Sequence, residues 1–264
     1  MSFTDNELQI SHLSAGTAHT EPMGYDRAVT RGNVTGASEL HKFGRNADVD
    51  TGSVEDIWDG GGTWAEPTTA RLHTIASSDN LDIAAGGGAQ TITLYGLDAD
   101  YALATESVSL NGTAGTASAQ TWTMIHRMVV NAAGTAGGNV GTITATADTD
   151  ATVTAQIEPT NNQTLMAIYM VPAATTLELD TWYSSMNRAT TTGGSDTFLK
   201  FKSDGEVWQI KDVAGLVGTG SGHMTRNYKV PLKVPAKTIV KIAADASASN
   251  TDVSGGFNGV LVQD

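Results

Sequence analysis

Five carboxylates, Asp48, Asp50, Glu55, Asp56 and Asp59, fall within one short segment, a density that suits either divalent-cation binding or turn formation. Read as a twelve-residue calcium loop, Asp48, Asp50 and Asp59 occupy positions 1, 3 and 12. The fifth position is then Gly52, which brings the turn glycine one place early, and the twelfth is Asp rather than Glu, so the run departs from an EF-hand. Oxygen-rich loops also bind Ca²⁺ outside that frame, which leaves Asp48, Asp50 and Asp59 as candidate ligands beside the plainer role of capping turns. No other metal or cofactor is expected. The histidines at 12, 19, 41, 73, 126 and 223 lack ligand spacing, and there is no cysteine to complete a zinc site. Gly218-Thr-Gly-Ser-Gly-His223 shares letters with a nucleophile elbow but is followed by no helix pattern. Gly60–Gly62 and Gly86–Gly88 lack the strand-to-helix setting of a phosphate cradle. The expectation is a protein that is not an enzyme.

The same segment carries Trp58 and Trp64, with Phe43 ahead of it. These are the large apolar groups in a stretch otherwise made of turn residues, so Phe43, Trp58 and Trp64 should dock it on a neighbouring body. Asp48, Asp50, Glu55, Asp56 and Asp59 should then form its wet side. That body must be β. From Arg71 onward apolar residues recur with a period near two, as in Gln90–Tyr95, Gln120–Val130, Val140–Thr146 and Ala151–Ile157. On this period Trp122, Met124, His126 and Met128 share one face. Turn markers such as Asn111-Gly112 interrupt the runs about every ten residues. Leu165–Val171 is apolar throughout, as a strand buried on both faces would be, and Pro231 and Pro235 confine Leu232–Val234 to an edge or crossover.

The fold class expected is therefore all-β, an antiparallel β-sandwich of jelly-roll-like kind, in two β domains behind an extended arm. The divisions run 1–42 for the arm, 43–70 for the acidic Gly/Trp connector, and 71–160 and 161–264 for the two sandwiches. The arm is too poor in apolar groups to offset its own ordering entropy, which suits a segment that reaches a neighbouring subunit.

Charge sharpens this. The net charge is −13, and residues 1–160 carry 19 acidic against 6 basic side chains while 161–264 carry nine of each. An acidic chain is repelled by DNA and by anionic membranes, so neither nucleic acid nor membrane is expected as a partner. No apolar run reaches the length of a membrane span, and no leader is read at the start of the sequence.

Four blocks carry a resemblance: Phe43-Gly-Arg-Asn-x-Asp-x-Asp-Thr-Gly-x-x-Glu-Asp-Ile-Trp-Asp-Gly-Gly-Gly62, Tyr95-Gly-Leu-Asp-Ala-Asp-Tyr101, Asn161-Asn-Gln-Thr-Leu-Met-Ala-Ile-Tyr169 and Gly256-Phe-Asn-Gly-Val-Leu-Val262. Together they resemble virion structural proteins of tailed bacteriophages, marine ones in particular. The resemblance implies a component of the virion made in the bacterial cytoplasm, with the major capsid protein or other virion proteins as partners and self-association among its copies. It brings no catalytic residues. A capsid decoration or cement protein is one reading. A tail or fibre module that binds host-surface glycan through exposed aromatics such as Trp182, Tyr183 or Trp208 is the other.

Overall fold

The computed structural model describes residues 12–14, 17–19, 24–187, 193–218 and 221–264. Runs rich in Thr, Val and Ala favour the pleated, half-buried surface of a sheet, and the molecule is accordingly nearly all β in antiparallel sheets. A hairpin of β1 (His12–Ser14) and β2 (Thr17–His19) precedes α1 (Tyr25–Thr30), β3 (Ala37–Val49) and the two-residue β4 (Glu55–Asp56). Then come β5 (His73–Ser77), β6 (Ala89–Leu97), β7 (Leu103–Ser109), β8 (Thr116–Ala117), β9 (Met124–Ala133), β10 (Ile143–Ala147) and β11 (Val153–Ile157). The chain closes with β12 (Ile168–Met170), β13 (Thr175–Asn187), β14 (Gly193–Lys202), β15 (Gln209–Gly218), β16 (Ser221–Val234), β17 (Ile239–Ala246) and β18 (Thr251–Gln263).

Besides the hairpin, four sheets form among the described residues. Their orders are β16-β13-β18-β3, β12-β17-β14-β15 with β4 beside β17, β11-β10-β5-β8, and β7-β6-β9. They are small and follow one another in a propeller-like ring, so the chain is not clearly the jelly-roll sandwich that its strand count suggested. The reason lies in the packing, since three apolar cores bind the sheets together. Trp182, Phe257, Tyr169 and Ile242 belong to a core between the first two sheets, and Trp122, Ile92, Leu94 and Ile143 to a core between the other two. A third core, with Trp58, Trp64, Leu97, Met124, Met166 and Ile168, draws on both pairs.

The junction between residues 42 and 43 falls inside a strand. Ala37–Val49, divided by the sequence between arm and connector, is one strand that pairs with β18 from Ala37↔Val262 to Val49↔Thr251. Sparse apolar content concealed it, because its outward face carries Glu39, His41 and Arg45 and its inward face carries Lys42, Gly44 and Asn46. Glu7–Ile10, read as a short strand or turn of the arm, lies outside the described residues.

Between β4 and β12 the chain leaves the first pair of sheets, builds the second pair, and returns. Departure and return meet on one edge: Ile57 N donates to Ile242 O at 3.0 Å, Ala167 N to Ile57 O at 2.9 Å, and Ile242 N to Ala167 O at 3.1 Å. The two sheets of residues 73–157 are thus an insertion within one rung of strand pairing against β17. Gly44 crosses this point, where a Cβ would lie 2.3 Å from Ala167 N and 2.4 Å from Ile57 O, so only glycine fits.

Candidate functional site

The joint between the two pairs of sheets is where the carboxylates and tryptophans of the connector come together. Trp58 and Trp64 are both buried in the third core. Trp64 Nε1 donates to Thr154 O of β11 at 2.9 Å, which fastens the connector to the inserted sheets. Trp58 folds back on its own turn instead: its indole lies where a Cβ on Gly60 would be, and Nε1 donates to Gly61 O at 2.8 Å. Gly61 and Gly62 hold φ of 64° and 59°, the left-handed region that disfavours side chains, so each glycine of the triplet has a steric duty. Phe43 stays on the opposite face of β3, half-buried with its ring 5.2 Å from that of His41, and takes no part in this core.

The five carboxylates divide. Asp48 and Asp50 are exposed, as expected of a wet side. Glu55 and Asp56 are buried, against the expectation of a wet side. Glu55 accepts from Asn46 Nδ2 at 2.9 Å, from Asp50 N at 3.1 Å and from Gly62 N at 3.1 Å, so it ties the end of β3 to the glycine turn. Asp56 accepts from Trp64 N at 2.9 Å and forms an ion pair with Lys241 of β17, Nζ–Oδ1 2.7 Å. Burial pushes the Asp56 carboxyl up and the Lys241 amine down, although each partner acts in the opposite direction on the other. Lys241 Nζ also sits 4.1 Å from the ring centroid of Trp208. Asp59 accepts from Leu165 N at 3.1 Å, and burial raises its pKa to about 6. Among the described residues, no three His, Cys, Asp or Glu side chains are grouped to hold a metal ion, and Asp48, Asp50 and Asp59 do not converge as the calcium reading requires.

A second contact closes the joint from β3. Lys42 Nζ donates to His126 O at 2.6 Å, with its side chain buried. Burial, aided by the Arg127 charge, lowers its pKa to about 7, and burial holds His126 well below the usual histidine range. The His126 ring packs edge-on against Tyr169 at 4.8 Å. His126 is there because the β6–β9 ladder slips: Tyr95 pairs with Arg127 and Gly96 with Ile125, which leaves residue 126 in a bulge. The four residues Trp122, Met124, His126 and Met128 therefore do not share one core. Trp122 and Met128 enter the inserted core beside Ile125, while Met124 enters the joint. Period-two reading cannot foresee a bulge, and nothing local distinguished Lys42 or Lys241 from surface lysines. One signal was legible. Of the apolar run 165–171, Leu165 stays half-buried outside both cores, while Ala167, Tyr169 and Val171 feed one and Met166, Ile168 and Met170 the other.

The tryptophans proposed as a sugar platform are differently placed. Trp182 is fully buried, its Nε1 donating to Asp212 Oδ2 at 3.1 Å, and Trp208 lies against the third core.

What fold and joint define is an antiparallel all-β protein of two sheet pairs locked through a buried ionic and aromatic seam. No family model matches the chain, and no curated protein matches it. Solved structures of infectious bursal disease virus are similar to it: the Gt strain at 11% identity and TM-score 0.23, covering 91% of this chain and 78% of the other, and the Gx strain at 8% and 0.24, covering 86% and 72%. At such TM-scores the likeness carries no argument.

Proposed function

We propose that this chain is a non-enzymatic structural component of a phage virion, a decoration or cement protein that stabilises the shell through subunit contacts. The observation that carries the reading is the strand order of the C-terminal sheet pair. Eight strands lie four to a sheet as β16-β13-β18-β3 and β12-β17-β14-β15, with first and last strands adjacent and most connections crossing between sheets. That order supports a jelly-roll reading of this pair, an architecture used by capsid and lectin domains alike. The resemblance of residues 43–62, 95–101, 161–169 and 256–262 to virion structural proteins favours the capsid use. Burial of Trp58, Trp64, Trp122 and Trp182 weighs against a glycan platform, since a stacking aromatic needs an open face. The test is to add tagged protein to purified heads lacking it and image the particles by electron cryomicroscopy. Regularly spaced density on the head is the expected result. Density confined to tails, or no co-sedimentation with heads, overturns the reading.

A further inference from the structure

A bulge in an edge strand and a cavity adjoin at Asp180 of the β16-β13-β18-β3 sheet. The bulge, a projection, lies in β16. Leu232 pairs with Leu179 and Asn227 with Thr181, so Tyr228–Pro231 all stand opposite Asp180 alone. Lys229 is exposed there, and Val230 is 80% exposed, an unusual place for an apolar side chain at the tip of a bulge. β16 itself carries Arg226, Lys229 and Lys233 and no carboxylate, in a chain whose net charge is −13.

The cavity, about 410 Å³, opens between α1 and the same sheet. Val29 and Val260 give it an apolar floor beside His41, and Asp26, Glu39 and Asp180 stand at its rim. These carboxylates crowd each other. Besides its own burial, Asp180 feels the charges of Asp26 and Glu178, which raise its pKa. An apolar tip flanked by lysines is complementary to this apolar, acid-rimmed hollow in both shape and charge.

We propose that this region is a two-fold docking surface for a second copy of the chain, with the Val230 bulge of each copy seated in the acidic cavity of the other. Because projection and cavity adjoin at Asp180, a single rotation axis can satisfy both contacts at once, which is the geometry of an isologous dimer. The inference rests on the self-association included in the virion reading, and it names the surface.

Sedimentation velocity of the full chain up to about 100 µM, in low salt, should show a dimer. Val230→Asp and Lys229→Glu, both at exposed positions, should each weaken it by roughly tenfold or more, as should raising the salt to about 0.5 M. Adding Asp180→Lys to Lys229→Glu should restore it by reversing the pair, with circular dichroism verifying the fold of each variant. A wild-type monomer throughout, a dimer that both single variants leave intact, or an absence of rescue overturns the proposal. Monomers that still decorate heads would refute this docking alone. Dimers that never bind heads would refute the virion role alone.

Discussion

Lys241 Nζ lies 2.7 Å from Asp56 Oδ1, and both side chains are at most 5% exposed. The pair joins β17, an interior strand of its sheet, to the two-residue strand from which the chain departs into the insertion. A buried pair of this kind contributes little against a well-packed apolar substitute, but breaking it leaves one uncompensated charge in the interior.

Asp56→Asn should therefore cost about 3–5 kcal/mol in urea unfolding, as should Lys241→Met, while Asp56→Leu with Lys241→Met should cost less than either single change. This places Asp56 beside Trp58 in importance, since Trp58→Ala should also cost about 3–5 kcal/mol. Asp48→Asn, at an exposed carboxylate, should stay within about 0.5 kcal/mol of the wild type. Equal midpoints for Asp56→Asn and Asp48→Asn would contradict the assignment.

Gly44→Ala should destabilise more than its single methyl suggests. The added Cβ meets backbone atoms of residues 57 and 167, which cannot swing aside as a side chain would. A loss of at least about 1–3 kcal/mol is expected, read from the denaturation midpoint. Gly52→Ala provides the comparison: its φ of 84° strains alanine, but the added methyl has open space.

Stability should depend on pH through two groups acting in separate windows. The Lys42 pKa is depressed from 10.5 to about 7 in the folded chain, so the stability associated with its neutral form is present above about 10.5 and is lost as pH falls through about 7. The melting temperature should fall across that interval, and Lys42→Met should flatten it. Asp59 is raised from 3.8 to about 6, so its contribution is present below 3.8 and is lost as pH rises through about 6. Asp59→Asn should remove this second dependence without touching the first. Unchanged slopes in both variants would mean that neither group titrates where its burial places it.

Truncation separates the arm from the fold. Removing residues 1–23 should leave a cooperative melt, because β3 and its partners are intact. Removing 1–42 deletes Ala37–Lys42, half of a strand that pairs along its whole length with β18, and should abolish cooperative unfolding. A normal melt after the longer deletion would show that β3 is dispensable.

The β class, the edge position of the strand holding Pro231, and the two-sided burial of 166–171 were all legible in the sequence, because each follows from a local rule: period two, a missing donor, or an unbroken apolar run. Trp58 and Trp64 are buried, as the aromatics of a turn-rich segment should be, and so are Val49 and Ile57 beside them. β3 was not legible. Lys42 and Gly44 owe their burial to His126 and Ala167, far along the chain, and Asn46 owes its own to Glu55 and Asp56 across a turn, contacts that no period-two pattern encodes. Asp82 is a like case. Fully buried, it accepts from Ser77 Oγ, Ala89 N, Val140 N and Gly141 N, which makes it the hub of three loops that the sequence presents as an ordinary turn aspartate.

The insertion within one rung of β17 pairing sets an order of events during synthesis. Residues 73–157 hold both partners of every strand in their two sheets, so they can collapse as soon as they emerge. β3 must wait, because its neighbour in the sheet is β18, about two hundred residues later, and pairings so distant in sequence form slowly. Until then its edge is open, with Lys42 and Asn46 still solvated. The charged and amide side chains that make β3 hard to recognise also keep the waiting strand from pairing with the wrong chain.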